Sequence, residues 1–300
     1  MTGNERIKEI LLYESINGIE KTKLKYGLKE ETISRYKRFY RKAENPSGRP
    51  KVLLFDIETS PMVTYTWKLG KVYLSPDKVI TDWYVICWSA KWLNEPDVFG
   101  DVLTDEEALL GDDSRIMKSI WEKIDEADIV IAHNGNNFDL PMLNTRWLLQ
   151  GMNPPSPYQS IDTLKAIWKK FKFSSSKLDY VAQLTCNKQK LKTDFDLWKR
   201  CFNGNMEALE YMFEYNKKDV LLLEEVYMQI RPWIPAHPNM SLFVDTDKPV
   251  CTHCGSENIE FIDGYYATAA GLYRTFRCEC GAIGRMKKRE KTSDVRSLGR

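Results

Sequence analysis

Between residues 50 and 230, short apolar strands give way to helical segments, and few folds accommodate that order. The strand patterns are KVLLFDIE, YVICWSAKWL, DVFGDVL and DIVIAH. Helical periodicity predicts a helix over about 105–126, another from Leu140 to Gln150, and mostly helices from there to about Ile230. Strands early and helices late predict an α/β domain, which we place at 50–236.

The amino-terminal residues 1–45 predict a separate helical unit. Ile7, Ile10 and Leu11 recur at helical spacing, and a turn around Gly27 precedes a second helix that begins in EETISRYKRFYRK. The segment resembles a helix-turn-helix, with Leu24, Gly27, Leu28 and Ile33 at its apolar and turn positions and Arg35, Lys37 and Arg38 on or beside the second helix. Two roles stay open for this unit: DNA binding, or service as a small helical packing or partner-binding domain. Glu30 and Glu31 count against DNA binding, because they put negative charge at the end of the second helix that would meet the bases. NPSGRP at 45–50 predicts a linker.

Charge and hydropathy restrict the class of protein. The 44 Lys and Arg nearly balance the 42 Asp and Glu, but basic residues gather at both ends of the sequence. This distribution is a weak indication that the protein binds an anionic polymer. No apolar stretch approaches the roughly 20 residues that span a bilayer. We therefore expect a protein that does not bind membranes. Four of the seven cysteines form a paired cluster typical of a metal site and not of disulfides, so we also expect a reducing, cytoplasmic compartment.

Asp56 and Glu58 end the first apolar strand and lie two residues apart. The strand period of two puts both carboxylates on one face, where they repel each other unless a cation neutralises them. Hard oxygen ligands favour Mg²⁺ or Mn²⁺. A pair of solvated carboxylates at a strand end is the alternative reading.

Two further segments carry polar residues in suggestive places. Asp139 follows the strand DIVIAH and the turn at 133–137, where α/β sheets place ligands, although it could simply cap a helix. Tyr215 and Asp219 are spaced i to i+4, so they share one helix face. The pair could orient a water molecule, or it could form a hydrogen bond on the helix surface.

Together, Asp56-x-Glu58, Asn134 with Phe138 and Asp139, and Tyr215-x-x-x-Asp219 resemble the motifs of the DEDD superfamily of 3′ to 5′ exonucleases, which includes the proofreading domains of DNA polymerases. The tyrosine subclass is implied, since Glu214 stands where the other subclass has histidine. The resemblance implies a ribonuclease H-like mixed sheet flanked by helices. It also implies two Mg²⁺ or Mn²⁺ ions held by Asp56, Glu58, Asp139 and Asp219, with Asp56 bridging them and Tyr215 positioning the attacking water.

The expected substrate is single-stranded or 3′-ended nucleic acid, with DNA favoured over RNA. Asn134 and Phe138 are expected to contact it, as is Lys177, which belongs to a basic and aromatic stretch at 164–184. A replication or repair protein is a further expected partner. Two alternatives stay open: a non-catalytic nucleic-acid-binding or regulatory protein, and a structure-specific endonuclease on the same fold.

Four cysteines near the carboxyl terminus form two pairs: Cys251-x-x-Cys254-Gly and Cys278-x-Cys280-Gly. Four thiolates suit tetrahedral Zn²⁺, and the segment between the pairs predicts a hairpin. The pattern resembles a zinc ribbon, which we place at 245–286, although its second pair is one residue shorter than usual. We expect one structural Zn²⁺, a solvent-facing His253, and a flexible basic tail at 287–300. Whether such a ribbon contacts nucleic acid or a protein stays open.

Overall fold

The computed structural model describes residues 3–30, 32–33, 36, 50–188, 191 and 193–292. The chain divides into two compact units, Met1–Arg49 and Pro50–Arg300. The first contains α1 (Gly3–Asn17) and α2 (Ile19–Tyr26), and α2 ends at Gly27, which adopts a left-handed conformation with φ 63°.

The apolar positions expected in this unit are only partly buried. Ile10 and Ile33 are buried, whereas Leu24 is 86% exposed, so its assignment to an apolar position is wrong. The linker at 45–49 lies outside the described residues, as do Arg35, Lys37 and Arg38 and most of the predicted second helix.

The second unit is built on a five-stranded mixed sheet. Its strands lie in the order β5-β4-β1-β6-β7: β1 is antiparallel to β4 and parallel to β6, and β6 is parallel to β7. The bounds are β1 Val52–Thr59, β4 Val85–Trp92, β5 Val98–Val102, β6 Ile129–Ala132 and β7 Gln159–Asp162. A small hairpin of β2 (Val63–Thr64) and β3 (Val79–Thr81) follows β1. The mixed α/β architecture predicted from the sequence is confirmed, but the short strands β2, β3 and β7 are not among the predicted ones.

Helices cover both faces of this sheet, with bounds α3 Asp105–Leu110, α4 Ser114–Glu126, α5 Asp139–Leu149, α6 Thr163–Lys170, α7 Leu178–Cys186, α8 Phe195–Phe202 and α9 Met206–Ile230. The prediction of one helix over 105–126 is wrong. Gly111 ends α3 in a left-handed conformation, and the buried Asp113 accepts hydrogen bonds from Arg146, Gln150 and the Val85 amide, which fixes the break.

Alternation along β1 divides the core into two clusters. Leu53, Phe55 and Ile57 face one side, with α4, α5, α8 and the first half of α9. Val52 and Leu54 face the other, with α6, α7 and the second half of α9. Asp56 and Glu58 continue the second set, since side chains alternate with a period of two.

The carboxyl-terminal part forms a three-stranded antiparallel sheet of β8 (Ile259–Thr268), β9 (Gly271–Cys278) and β10 (Ile283–Arg285). The predicted hairpin is therefore confirmed. Pairing continues into the predicted tail, because the Leu272 amide donates to the Lys291 carbonyl and the Glu290 amide to the Leu272 carbonyl. Residues 293–300 lie outside the described part of the chain. Within the described ranges, every helix is too short or too polar to cross a membrane.

Candidate active site

Three carboxylates converge where β1 meets α9. Oxygens of Asp56, Glu58 and Asp219 all lie within 4.8 Å of one another. Two oxygens on opposite sides of one Mg²⁺ lie about 4.2 Å apart, so the cluster has the spacing of a divalent-cation site. Asp219 is buried and the other two are half-buried. Like charges this close in a partly buried site repel strongly, and a bound cation relieves that repulsion.

Asn216 is a residue of this site that none of the three sequence motifs specifies. It is fully buried on α9, and its Nδ2 donates to Asp56 Oδ2 at 2.7 Å. This amide orients the carboxylate and offsets part of its charge. A signal was present in the sequence: Ala208, Met212 and Val220 form the buried stripe of α9, and Asn216 interrupts that stripe.

Asp139 occupies the first turn of α5 and lies outside the group of three. It is buried, and its Oδ1 accepts a hydrogen bond from the Ile57 amide, between Asp56 and Glu58, at 3.3 Å. Burial raises the pKa of Asp139 to about 7, against the opposing effect of its backbone hydrogen bonds. The metal-free carboxyl is therefore partly protonated at neutral pH, and a cation would favour its ionised form.

The turn after β6 is held by Asp162, at the end of the neighbouring β7. Its carboxylate accepts from the amides of Asn134 and Asn136 and also caps α6 through the Leu164 amide. Asn134 adopts a left-handed conformation with φ 70°. Gly135 is required in this turn, because a Cβ there would lie 2.4 Å from the Ala132 Cβ. Asp162 therefore fixes both this turn and the start of α6.

His133 ties this turn to the loop that precedes α7. Its Nε2 lies 3.0 Å from the Ser176 carbonyl oxygen, and its Nδ1 lies 2.9 Å from the Thr163 hydroxyl. These contacts fix Ser176, and therefore position its neighbour Lys177 beside the turn.

One carboxylate of the cluster, Asp56, opens onto a cleft of ≈630 Å³, which we call the catalytic cleft. It is lined by Asp56, His133, Asn134, Trp168, Lys177 and Tyr215, among others. Trp198 packs edge-on against Tyr215, with ring centroids 6.4 Å apart, and supports it from behind. Phe138, also expected to contact substrate, is 42% exposed but is not among the lining residues.

The four paired cysteines form a second candidate metal site. Their sulfurs lie within 4.8 Å of one another, with Cys251 Sγ 3.8 Å from Cys280 Sγ and Cys254 Sγ 3.5 Å from Cys278 Sγ. Thiolates at 2.3 Å around a tetrahedral Zn²⁺ would be about 3.8 Å apart, so the cysteines fit this ion. A hydrogen bond from the Cys254 thiol lowers the pKa of Cys251 and favours a thiolate there.

The prediction that His253, between the first two cysteines, faces solvent is wrong. Its ring is half-buried and stacks on His237, with ring centroids 5.0 Å apart. His237 belongs to the segment that follows α9. The stack therefore joins two separate segments of the chain, and the cysteine spacing alone does not reveal such a contact.

Comparison with known proteins places this architecture in a family. The family model RNase_H_2, described as RNase_H superfamily, matches residues 53–231, more than half of the chain. The protein therefore belongs to the RNase_H superfamily.

A relative and a solved structure are also similar to parts of the chain. The DNA polymerase III PolC-type of Mycoplasma genitalium is 32% identical over 154 residues, 50% of this chain and 10% of that polymerase. The chain thus spans about a tenth of that relative's length. The family B DNA polymerase from the archaeon Pyrobaculum calidifontis aligns with a TM-score of 0.44 and 17% identity over 61% of this chain and 25% of its own.

Proposed function

We propose that the protein is a divalent-metal-dependent 3′ to 5′ exonuclease that hydrolyses phosphodiester bonds of nucleic acid, with DNA favoured over RNA. The observation that carries the proposal is the convergence of Asp56, Glu58 and Asp219 into one cluster, whose Asp56 lines the catalytic cleft together with Tyr215. Membership of the RNase_H superfamily supports nuclease chemistry, and similarity to a DNA polymerase supports a DNA substrate.

The carboxylates have the donor chemistry that Mg²⁺ or Mn²⁺ requires. Asp56, Glu58 and Asp219 would hold one ion, and Asp56 with Asp139 would hold a second. Bound divalent ions supply positive charge to the phosphate oxygens and lower the pKa of a bound water. Asn216 keeps Asp56 oriented, and the Tyr215 hydroxyl would align the attacking water with the last phosphodiester. The 3′ hydroxyl of the penultimate nucleotide would leave.

The catalytic cleft supplies further contacts for the strand. Asn134 would contact the terminal nucleotide, and Lys177 would neutralise a nearby phosphate. Phe138 lies outside the lining residues, so we assign it a contact only with substrate that extends past the cleft. The four cysteines would hold one structural Zn²⁺ and make the carboxyl-terminal hairpin a zinc ribbon.

The test is degradation of an oligonucleotide labelled at its 5′ or its 3′ end, as DNA and as RNA, with Mg²⁺, Mn²⁺ or no divalent ion. Wild type is compared with Asp219→Asn, which keeps the side-chain volume. Glu214→Gln is the matched control, because Glu214 lies on the same helix but is exposed and pairs with Lys217.

A metal-dependent ladder from the 5′-labelled strand, lost in Asp219→Asn and kept in Glu214→Gln, is the expected result. Internal cuts from the earliest time points would indicate an endonuclease instead. Tight binding without cleavage under any metal would indicate a non-catalytic binding protein, and an unaffected Asp219→Asn would contradict the assigned site.

A further inference from the structure

A second groove, which we call the ribbon groove, lies where the α/β domain meets the cysteine-bearing hairpin. It has a volume of ≈660 Å³ and is formed by the end of α6, the segment after α9, and the hairpin. Its lining includes Lys170, Trp233, Ile234, His253, Arg277 and Ile283. The proposed exonuclease reaction uses none of these residues.

Direct contacts hold the two walls of this groove together. His253 stacks on His237, whose Nε2 lies 2.9 Å from the Tyr227 hydroxyl near the end of α9. The Met240 amide donates to the Thr252 carbonyl at 2.9 Å. The hairpin is therefore packed on the α/β domain, and the groove has a defined shape.

The groove combines cations with exposed apolar rings and side chains. Lys170 and Arg277 are exposed, Trp233 is 58% exposed and Ile283 is 55% exposed. Phe171 packs edge-on against Trp233, with ring centroids 5.8 Å apart, which limits the orientations of the indole. Among the described residues, none of the lining side chains is a carboxylate. Cations for phosphates beside a held aromatic ring for bases are what grooves for single-stranded nucleic acid contain.

A single short segment connects this groove to the catalytic cleft. Trp168 and Lys177 line the cleft, whereas Lys170 lines the ribbon groove. The chain from Lys170 to Lys177 spans at most about 25 Å even when fully extended. Between these ends, Lys172 is exposed, and the rings of Phe171 and Phe173 pack at a tilt with their centroids 5.6 Å apart. The surface joining the two grooves therefore has the same basic and aromatic character.

We propose that the ribbon groove binds single-stranded nucleic acid upstream of the 3′ end that lies in the catalytic cleft. Lys170 and Arg277 contact phosphates, and Trp233 stacks on a base. This inference rests on the proposed function for the placement of the 3′ end. It assigns the carboxyl-terminal hairpin a role in holding the substrate, and it predicts that long strands are bound more tightly than short ones.

The test measures fluorescence anisotropy of labelled oligodeoxynucleotides of about 4 and about 20 nucleotides over a range of salt concentrations. All proteins carry Asp219→Asn and are measured in Mg²⁺, to slow cleavage. Each phosphate contact to a single strand contributes about 0.7 to the slope of log affinity against log salt, so Lys170→Ala with Arg277→Ala reduces the slope by about 1.4 for the long strand. The short strand keeps its affinity. Trp233→Ala weakens the long strand by about fivefold or more.

The matched control is Lys118→Ala with Lys123→Ala, which removes two cations from α4 on the other side of the sheet. Lys170→Arg with Arg277→Lys preserves charge and retains the slope, while zinc content and thermal melting verify folding. An unchanged slope in the alanine pair, or equal weakening of both strands, would overturn the proposal. Failure of the proposed function would be seen in a different measurement: the protein with Asp219 intact would degrade neither the short nor the long strand.

Discussion

The α/β domain and the cysteine-bearing hairpin carry one candidate metal site each, but the proposed metal would serve a different purpose in each. The α/β domain has two apolar clusters, one on each side of its sheet. Among the described residues of the hairpin, few hydrophobic side chains are buried: the cluster of Cys251, Cys278 and Ala282, and Tyr273 and Phe276 on β9. A core this small does not offset the entropy of folding, so we expect the hairpin to depend on a bound ion and on its packing against the α/β domain. The carboxylate site, by contrast, lies on a domain with two large apolar clusters, so we expect that domain to fold without metal.

The largest effect that separates these regions is expected from Cys278→Ser. Loss of one thiolate ligand removes most of the zinc affinity, which in small zinc domains supplies about 10 kcal/mol or more of folding free energy. We expect zinc content to fall to near zero and protease cleavage to appear within residues 245–292. The main thermal transition of the α/β domain should persist. Cys186→Ser, a cysteine on α7, is the control, and unfolding of both regions together would contradict the comparison.

The second prediction concerns the pH dependence of the carboxylate site. Burial raises the pKa of Asp139 to about 7, above the 3.8 of the unfolded chain. The folded state therefore holds this proton more tightly, and the contribution of Asp139 to stability is full below about pH 4 and lost as pH rises through about 7. The change is a few kcal/mol in total.

The measurement is urea unfolding between pH 4 and pH 8 after dialysis to remove Mg²⁺ and Mn²⁺ while zinc is retained. Asp139→Asn should flatten the decline in stability with pH, whereas Asp97→Asn, at an exposed position, should not. Added Mn²⁺ should stabilise wild type more at pH 8 than at pH 5. Identical profiles for wild type and Asp139→Asn would show that this carboxyl does not titrate as described.

A smaller effect is expected from Asn216→Leu, which keeps the volume but removes the amide that orients Asp56. Loss of a hydrogen bond to a metal-ligating carboxylate costs about 10- to 100-fold in metal affinity or activity. We expect a higher Mn²⁺ concentration for half-maximal cleavage, with the maximal rate less affected. Asn203→Ala, an exposed site before α9, is the control. A change in rate with no change in Mn²⁺ dependence would reject this positioning role.

Local rules predicted the parts of the site that come from single elements. Asp56 and Glu58 share a face because side chains on a strand alternate, and β1 aligns with β6 as parallel strands do. The convergence of Asp219 with both followed from the resemblance to a family and not from spacing. The role of Asn216 depends on which strand α9 packs against, and the sequence does not specify that strand. In the sequence, Asn216 stands out only because it interrupts an apolar stripe.

Contacts between distant segments explain what the sequence did not predict. The break at Gly111 is fixed by Asp113 bonding to Arg146, 33 residues later. The short strand β7 is recognisable only by its pairing with β6, because just four residues take part. The ribbon groove likewise needs the stacking of His253 on His237, which no motif encodes. Elements with strong periodicity were therefore predicted, and their lateral contacts were not.

The smallest predicted effect tests whether the hairpin is packed on the α/β domain or only tethered to it. His253→Ala removes one ring from the stack with His237 and leaves all four cysteines in place. Stacked rings contribute about 0.5–1.5 kcal/mol beyond burial, so we expect the melting temperature to fall by about 2–4 °C with zinc content unchanged. His253→Phe should recover most of the loss, because it restores a ring without the imidazole nitrogens. Amide hydrogen exchange should quicken at Met240, whose amide donates to the Thr252 carbonyl across this contact. If exchange there stays at the wild-type rate, the ring stack does not hold the hairpin, and the ribbon groove would need other contacts to keep its shape.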